Sequence, residues 1–301
     1  MLHKLKDLLR IFKRSFKLLK RSEPLILSSS TAFFATFSLS PILILLVSAF
    51  GLYTQSDRIR NQLFNKIAST VGNETAMEIE KIVNNFMNFE TTWWMTIGVT
   101  LFFLFVSTTL LEVVKQNIHT VWRIKKKLPR IRYKFGERAV LAGIIFLTGI
   151  LFLLTLMIDS ALAISLDYLQ ITVPAIGITF IRILNFFFSI TVVSIWFTII
   201  FKVLPNAKVH WDVAFNGGFV TAVLYTLGRL ILGKILIHAR IESIFGASAS
   251  FALLLLFIFY CSFILYYGAA FTHEYGEFSN KHICAGKHAH EYEEKMLGKE
   301  A

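Results

Sequence analysis

Six apolar runs, at about residues 25–53, 92–121, 139–166, 175–201, 213–236 and 247–271, constrain this chain more than any other feature. Each reaches the ~20 residues a helix needs to cross a hydrocarbon core ~30 Å thick. The solvent of the fold is therefore lipid. A soluble domain of 301 residues with 55% hydrophobic residues, 30 of them Phe, and a mean hydropathy of +0.62 would have more core than surface to cover it. A transmembrane barrel would show ~10-residue segments of alternating polarity, and the runs do not alternate. The expected fold is all-α and polytopic, with six transmembrane helices.

Basic residues set the expected orientation. Residues 1–22 carry eight Lys and Arg, 123–138 eight, 202–212 two and 272–301 four, which is 22 of the 31 in the chain. The positive-inside rule makes that side cytoplasmic, so both termini lie inside. The loop 55–90 lies outside, and its apolar positions Ile59, Leu63, Ile67, Val71 and then Ile79, Val83, Phe86 recur at helical spacing. Two short amphipathic helices are expected there, breaking near Gly72-Asn73.

The net charge of +12 is a membrane signal before it is a nucleic-acid signal. In residues 1–22, Leu2, Leu5, Leu9, Phe12, Phe16 and Leu19 share one helical face, while Lys4, Lys6, Lys13, Arg14, Lys17 and Arg21 fall largely on others. Such a basic amphipathic helix suits the anionic phospholipids of the inner leaflet. It does not read as a cleavable signal, because its apolar residues are spaced and no small-residue cleavage site follows. The second basic block, 123–134, reads the same way, so phospholipid rather than nucleic acid is the expected partner. A protein partner or a second copy of the chain is the other partner class. The organisation is then an interfacial helix (1–22), a six-helix domain (23–276) and a polar cytoplasmic tail (277–301).

Polar groups at membrane depth are costly and carry functional suspicion. Asp159 in the third span and Arg182 in the fourth are symmetric about the hairpin tip near Gln170–Ile171, so antiparallel helices put them at similar depth. Arg229 in the fifth span also reaches the outer half. Two readings stay open for this trio: a structural ion pair fixing helix packing, or a contact for an anionic substrate or head group held by an arginine. Either arginine can instead snorkel to the outer head groups. A second set, Glu112, Lys115, Gln116 and His119, follows three- and four-residue steps at the inner end of the second span. It marks where this helix leaves lipid, or else an inner gate.

Small residues mark close helix approach: Ser28, Ala32, Ala35 and Thr36 on the first span, Gly217, Gly218 and Thr221 on the fifth, and Gly246 to Ser250 opening the sixth. Pro41 interrupts the first span and removes the donor for the carbonyl near Phe37, and Pro205 breaks the chain before the fifth. Cys261 and Cys284 form no framework or metal motif, and nothing calls for a cofactor.

Four segments carry a family resemblance: 29–43, Ser-Ser-Thr-Ala-Phe-Phe-Ala-Thr-Phe-Ser-Leu-Ser-Pro-Ile-Leu; 117–124, Asn-Ile-His-Thr-Val-Trp-Arg-Ile; 203–218, Val-Leu-Pro-Asn-Ala-Lys-Val-His-Trp-Asp-Val-Ala-Phe-Asn-Gly-Gly; and 244–251 continuing to 267–274, Tyr-Gly-Ala-Ala-Phe-Thr-His-Glu. In order and spacing the chain resembles the YihY/virulence factor BrkB family of bacterial inner-membrane proteins, once labelled ribonuclease BN, over about residues 20–276. The resemblance implies a fold and a cytoplasmic-membrane address. One departure stands out: where the family often carries an acidic residue after the Gly-Ala of the last span, this chain has Ala270, with Glu274 one turn later as the candidate replacement.

The ribonuclease label finds no support in the residues. Metal-dependent RNA hydrolysis needs clustered His, Asp or Glu. The eight histidines are scattered, with His288-Ala-His290-Glu291 in the polar tail the nearest approach, and no Gly-x-Ser-x-Gly elbow or phosphate-cradling loop is present. A non-catalytic protein is expected. It is a transporter, channel or lipid-translocating protein, or alternatively a membrane scaffold.

Overall fold

The computed structural model describes residues 2–54, 73–87, 93–126, 138–151, 153–155, 174–238, 249–286 and 289–291, with isolated positions at 61, 64–65, 67–68, 136 and 158. Its helices are α1 (Leu2–Arg21), α2 (Pro24–Thr54), α3 (Asn73–Met87), α4 (Trp93–Val121), α5 (Arg138–Thr155), α6 (Pro174–Val203), α7 (Trp211–His238) and α8 (Ala249–Phe278). All but α1 and α3 are long and apolar enough to cross a membrane. The protein is an all-α polytopic membrane protein.

Backbone chemistry fixes the ends of the helices. Glu23, at φ 52°, turns the chain between α1 and α2. Its carbonyl then accepts from Ile26 and Leu27, with Pro24 opening α2 where no donor is needed. Asn280, at φ 54°, ends α8 in a double cap: Lys281 N–H donates to Gly276 O (2.9 Å) and Asn280 N–H to Glu277 O (3.3 Å). This is the αL termination that only Gly and Asn adopt at little cost.

The cap sends the chain back under the bundle. Residues 277–301, expected as a plain polar tail, contribute two short strands. β3 (Cys284–Ala285) pairs with β2 (Ala207–Lys208), and β4 (Ala289–Glu291) pairs with β1 (Ile124–Lys126), both antiparallel. The tail thus ties the loop after α4 to the loop between α6 and α7.

Phenylalanines face outward along the spans: Phe37 is 61% exposed, and Phe102, Phe105, Phe187 and Phe251 are comparably open. In water that surface would drive aggregation; in lipid it is the solvated face. The main core lies at the end bearing the basic loops, around Tyr266, Phe201, Ile118, Trp122 and Val213. A smaller cluster at the other end packs α3 through Ile79 and Val83 against Leu43 and Ile44 of α2.

Helix α1 docks on α8. Ile11, Ser15 and Leu19 are buried, Phe12 meets the rings of Tyr267 and Phe271, and Tyr267 OH donates to Phe12 O (3.2 Å). The face expected to be uniformly lipid-directed is therefore split. Phe12 and Leu19 are buried against protein or nearly so, while Leu9 and Phe16 stay exposed alongside Lys13, Arg14, Lys17 and Arg21.

Candidate functional site

Among the described residues, Asn117, near the C-terminal end of α4, joins three helices. Its Nδ2 lies 2.9 Å from Tyr266 OH on α8, and 3.0 Å from Thr31 Oγ1, 3.2 Å from Ser30 Oγ and 3.1 Å from Leu27 O on α2. Thr31 Oγ1 and Tyr266 OH also bond each other. One amide with two hydrogens thus faces four acceptors, and three helices meet at it. Close by, Trp122 Nε1 donates to Ala269 O (2.8 Å), pinning the end of α4 to α8.

From this node a row of hydroxyls runs along the seam between α2 and α4. Ser38 donates across it to Val106 O (3.3 Å). Ser and Thr inside transmembrane helices normally bond the carbonyl one turn back. Thr31, Thr108, Ser194, Thr198, Thr221, Ser262 and Thr272 do so. Ser28 and Ser107 do not: both side chains are fully buried, and neither Oγ has a protein partner. An unpaired buried hydroxyl costs about 1–3 kcal/mol, so these two exceptions, one on α2 and one on α4, stand out.

The stripe expected at the inner end of α4 lies alongside. Lys115 and His119 are buried, at 3% and 5% exposure, rather than emerging into solvent; Glu112 is half-buried and Gln116 exposed. Gln116 Nε2 reaches Glu112 Oε1 at 3.5 Å. His119 Nε2 accepts from the backbone N–H of Asn206 (3.1 Å), whose carbonyl in turn accepts from Gly286 N–H (2.9 Å). The spans are thus linked to the tail through two bonds. Pro205, next to Asn206, is buried.

Helix α7 is clamped on two sides. A Cβ on Gly217 would overlap Thr272 Oγ1 of α8, and one on Gly268 of α8 would overlap Thr221 Oγ1 of α7. Each threonine also bonds the glycine carbonyl on its own helix, so two glycine–threonine pairs interlock reciprocally. On a second side, about 100° round the helix, a Cβ on Gly218 would sit 2.7 Å from Thr198 N and 2.9 Å from Ser194 O, both backbone atoms of α6.

Of the outer trio, Asp159 lies outside the described residues, and so does the side chain of Arg182; Gly246 lies outside them too. Arg229 is half-buried on α7, within electrostatic reach of Tyr225 and Cys261. Pro41 is half-buried within α2. Ala270 is fully buried in the core, whereas Glu274 is half-buried and within reach of the charges of Arg14 and Glu277. Among the described residues, no three of His, Cys, Asp and Glu converge as a metal site would require. Sequence reasoning missed the Asn117 node. Its one signal was that Thr31 and Asn117 both fall in family-like segments, with Tyr266 directly before a third.

The matches to known proteins run through the same regions. Relatives include membrane proteins named UPF0761. That of Saccharophagus degradans is 24% identical over 258 residues, covering 83% of this chain and 56% of the relative. Another, from Teredinibacter turnerae, is 20% identical over 255 residues, covering 84% and 57%, and one from Vibrio cholerae is 26% identical over 178 residues, covering 58% and 57%. The chain spans rather more than half the length of these relatives. No solved structure matches it. A family model, Virulence factor BrkB, matches residues 16–292. That match extends past the 276 at which the recognisable motifs stop and takes in both tail strands. With 16–292 matched and every span inside the match, this integral membrane protein belongs to the Virulence factor BrkB family.

Proposed function

We propose that the chain passes a polar or anionic species across the bacterial cytoplasmic membrane, as a transporter, channel or lipid-translocating bundle. The path follows the α2/α4/α8 seam, with the basic end cytoplasmic; Asp159, Arg182 and Arg229 remain the candidate contacts for an anionic species expected from the sequence. The observation that carries this reading is the pair of buried, unpartnered hydroxyls, Ser28 on α2 and Ser107 on α4, the two helices that Asn117 joins to α8. A bundle built only to hold together has no reason to leave two donors unspent in a medium where each costs free energy. A passing solute or water file would use them. Pro41 supports the reading, because it frees a carbonyl on α2 at the depth of Ser38. No nucleotide-binding motif is present in the sequence, so movement is passive, gradient-coupled or driven by a partner.

The alternative is a membrane scaffold, favoured by the tail that ties the cytoplasmic loops together through β1–β4 and β2–β3. Reconstitution separates the two. Purified protein in liposomes carrying fluorescent phospholipid, and in parallel liposomes loaded with an anion-sensitive dye, is compared with Ser28→Val/Ser107→Val and Arg182→Ala proteins. A flux above protein-free vesicles that falls in both variants supports translocation. Flux equal to protein-free vesicles in both assays abandons it for the scaffold.

A further inference from the structure

A groove of about 470 Å³ opens on the outer surface of the bundle between α6 and α7, at the basic end. Its walls are Ile195 and Ile199 of α6 and Trp211 and Phe215 of α7, and its rim carries Asp212 and Asn216. It faces away from the bundle: Trp211 is 62% exposed, Phe215 is 52% exposed, and Phe219 continues the aromatic stripe one turn on. Ile195 and Ile199 lie eight and four residues before the end of α6 at Val203, which is about 12 and 6 Å at the helical rise. The wall therefore runs within the hydrocarbon of one leaflet, and Trp211 stands at its head-group boundary.

The rim is charged at that boundary. Lys202, one turn beyond Thr198 and Ile199, bonds Val209 O and holds its ammonium 5.2 Å from the centre of the Trp211 ring. Lys281, from the tail, pairs with Asp212. Asn216 Nδ2 donates to Asp212 O (2.7 Å), fixing the first turn of α7. Two lysines and one aspartate leave one net positive charge at the mouth of an apolar slot, and the remaining protons of Lys202 are available to an anion.

We propose that this groove binds one anionic glycerophospholipid of the cytoplasmic leaflet. An acyl chain lies along Ile195, Ile199 and Phe215, and the phosphodiester sits against Lys202 beside the Asp212–Lys281 pair. Apolar length, an interfacial tryptophan and a single net cation are the complement of a lipid with one uncompensated phosphate. Because the tail supplies Lys281, the bound head group also bridges the tail to the α6–α7 loop. The site lies outside the α2/α4/α8 seam and does not rest on the translocation reading.

The test is native mass spectrometry of the full-length protein released from detergent after equilibration with phosphatidylglycerol or phosphatidylethanolamine of the same chain length. The expected result is one phosphatidylglycerol retained at collision energies that strip phosphatidylethanolamine, with at least tenfold lower occupancy in Lys202→Met. Ile195→Trp, which fills the slot from an exposed position, loses the lipid equally while melting as the wild type does. That second variant covers the case in which Lys202→Met is lost to misfolding. Equal retention of both lipids, or retention unchanged in a folded Ile195→Trp protein, overturns the proposal.

Discussion

Replacing Gly218 by alanine tests the closest helix contact in the bundle. The added methyl would stand 2.7 Å from Thr198 N and 2.9 Å from Ser194 O, where ordinary contact begins at 3.4 Å. Neither obstacle can rotate away, because both are backbone atoms of α6. The helices must part by roughly 0.7 Å along that line, and overpacking of this kind costs about 1–3 kcal/mol. Parting them also loosens the packing of Phe197 and Phe201, which sit on the same stretch of α6 and belong to the main core. Alanine gains about 1 kcal/mol of helix propensity over glycine, which offsets part of this. The expected net loss is up to about 2 kcal/mol, a fall in apparent melting temperature of up to roughly 8 °C for a chain of this size. The matched control is Gly143→Ala on α5, where a Cβ meets nothing within 4 Å, so the propensity term acts alone and the protein melts at or above wild type. The assay is thermal unfolding of both variants in one detergent, followed by the size-exclusion peak remaining after each temperature step. If Gly218→Ala melts with or above Gly143→Ala, the α6–α7 approach is looser than described and the clash argument fails.

Gly217→Ala is expected to cost a similar amount, and here a second change relieves it. Thr272→Ala removes the overlapping Oγ1 but leaves Cβ at 2.9 Å, so the double variant recovers part of the loss in the same melt; strict additivity would refute the contact. Asn117→Ala is expected to lower stability by about 1–2 kcal/mol, since Tyr266 and Thr31 still satisfy each other while three helices lose their shared amide; an unchanged melt would remove the node from the structure's supports. Lys208 stands directly opposite the exposed Cys284 in the β2–β3 pair, so Lys208→Cys is expected to form an internal disulfide on mild oxidation; a chain that stays fully reduced, read as unshifted mobility on non-reducing gels, means the tail does not dock.

The spans were legible because bilayer thickness sets them: α2, α4, α6 and α7 begin and end within about two residues of their apolar runs. α8 was read short, ending at 271 instead of Phe278. Hydropathy detects lipid and not helix, and the last two turns, Thr272 to Phe278, leave the apolar run but stay helical against α1. The tail strands were invisible for a different reason. Two- and three-residue strands carry no alternation, and their pairing depends on loops more than a hundred residues away in the chain for β1. Among site residues, close approach at Gly217 and Gly218 was readable from small residues alone, since only side-chain size matters there. The stripe with Lys115 and His119 was read either as an exit from lipid or as an inner gate, because periodicity reports a shared face and not what that face meets. In the structure His119 bonds the Asn206 loop, which in turn bonds the tail.

What holds the bundle together differs on its two sides. Lipid removes the hydrophobic drive between helices, so association rests on close packing and hydrogen bonds. α7 is wedged against α6 and α8 through glycines that admit no side chain, and any rotation there drives backbone into backbone or a threonine into a glycine face. α2 and α4 meet α8 through Asn117, an amide that has more acceptors than hydrogens. Bonds of that kind exchange: the amide can release Thr31 and keep Tyr266, or turn to Leu27 O, without leaving a donor unpaired. The unspent hydroxyls of Ser28 and Ser107 lie on this same side. The α6–α7–α8 contacts are thus fixed by close packing, whereas α2 and α4 are joined to α8 by bonds that can exchange, beside the Trp122–Ala269 bond. The tail holds both parts, since β4 grips the end of α4 through β1 and β3 grips the α6–α7 loop through β2. A displacement of α4 relative to the α6–α7 loop would have to stretch or release one of the two ribbons.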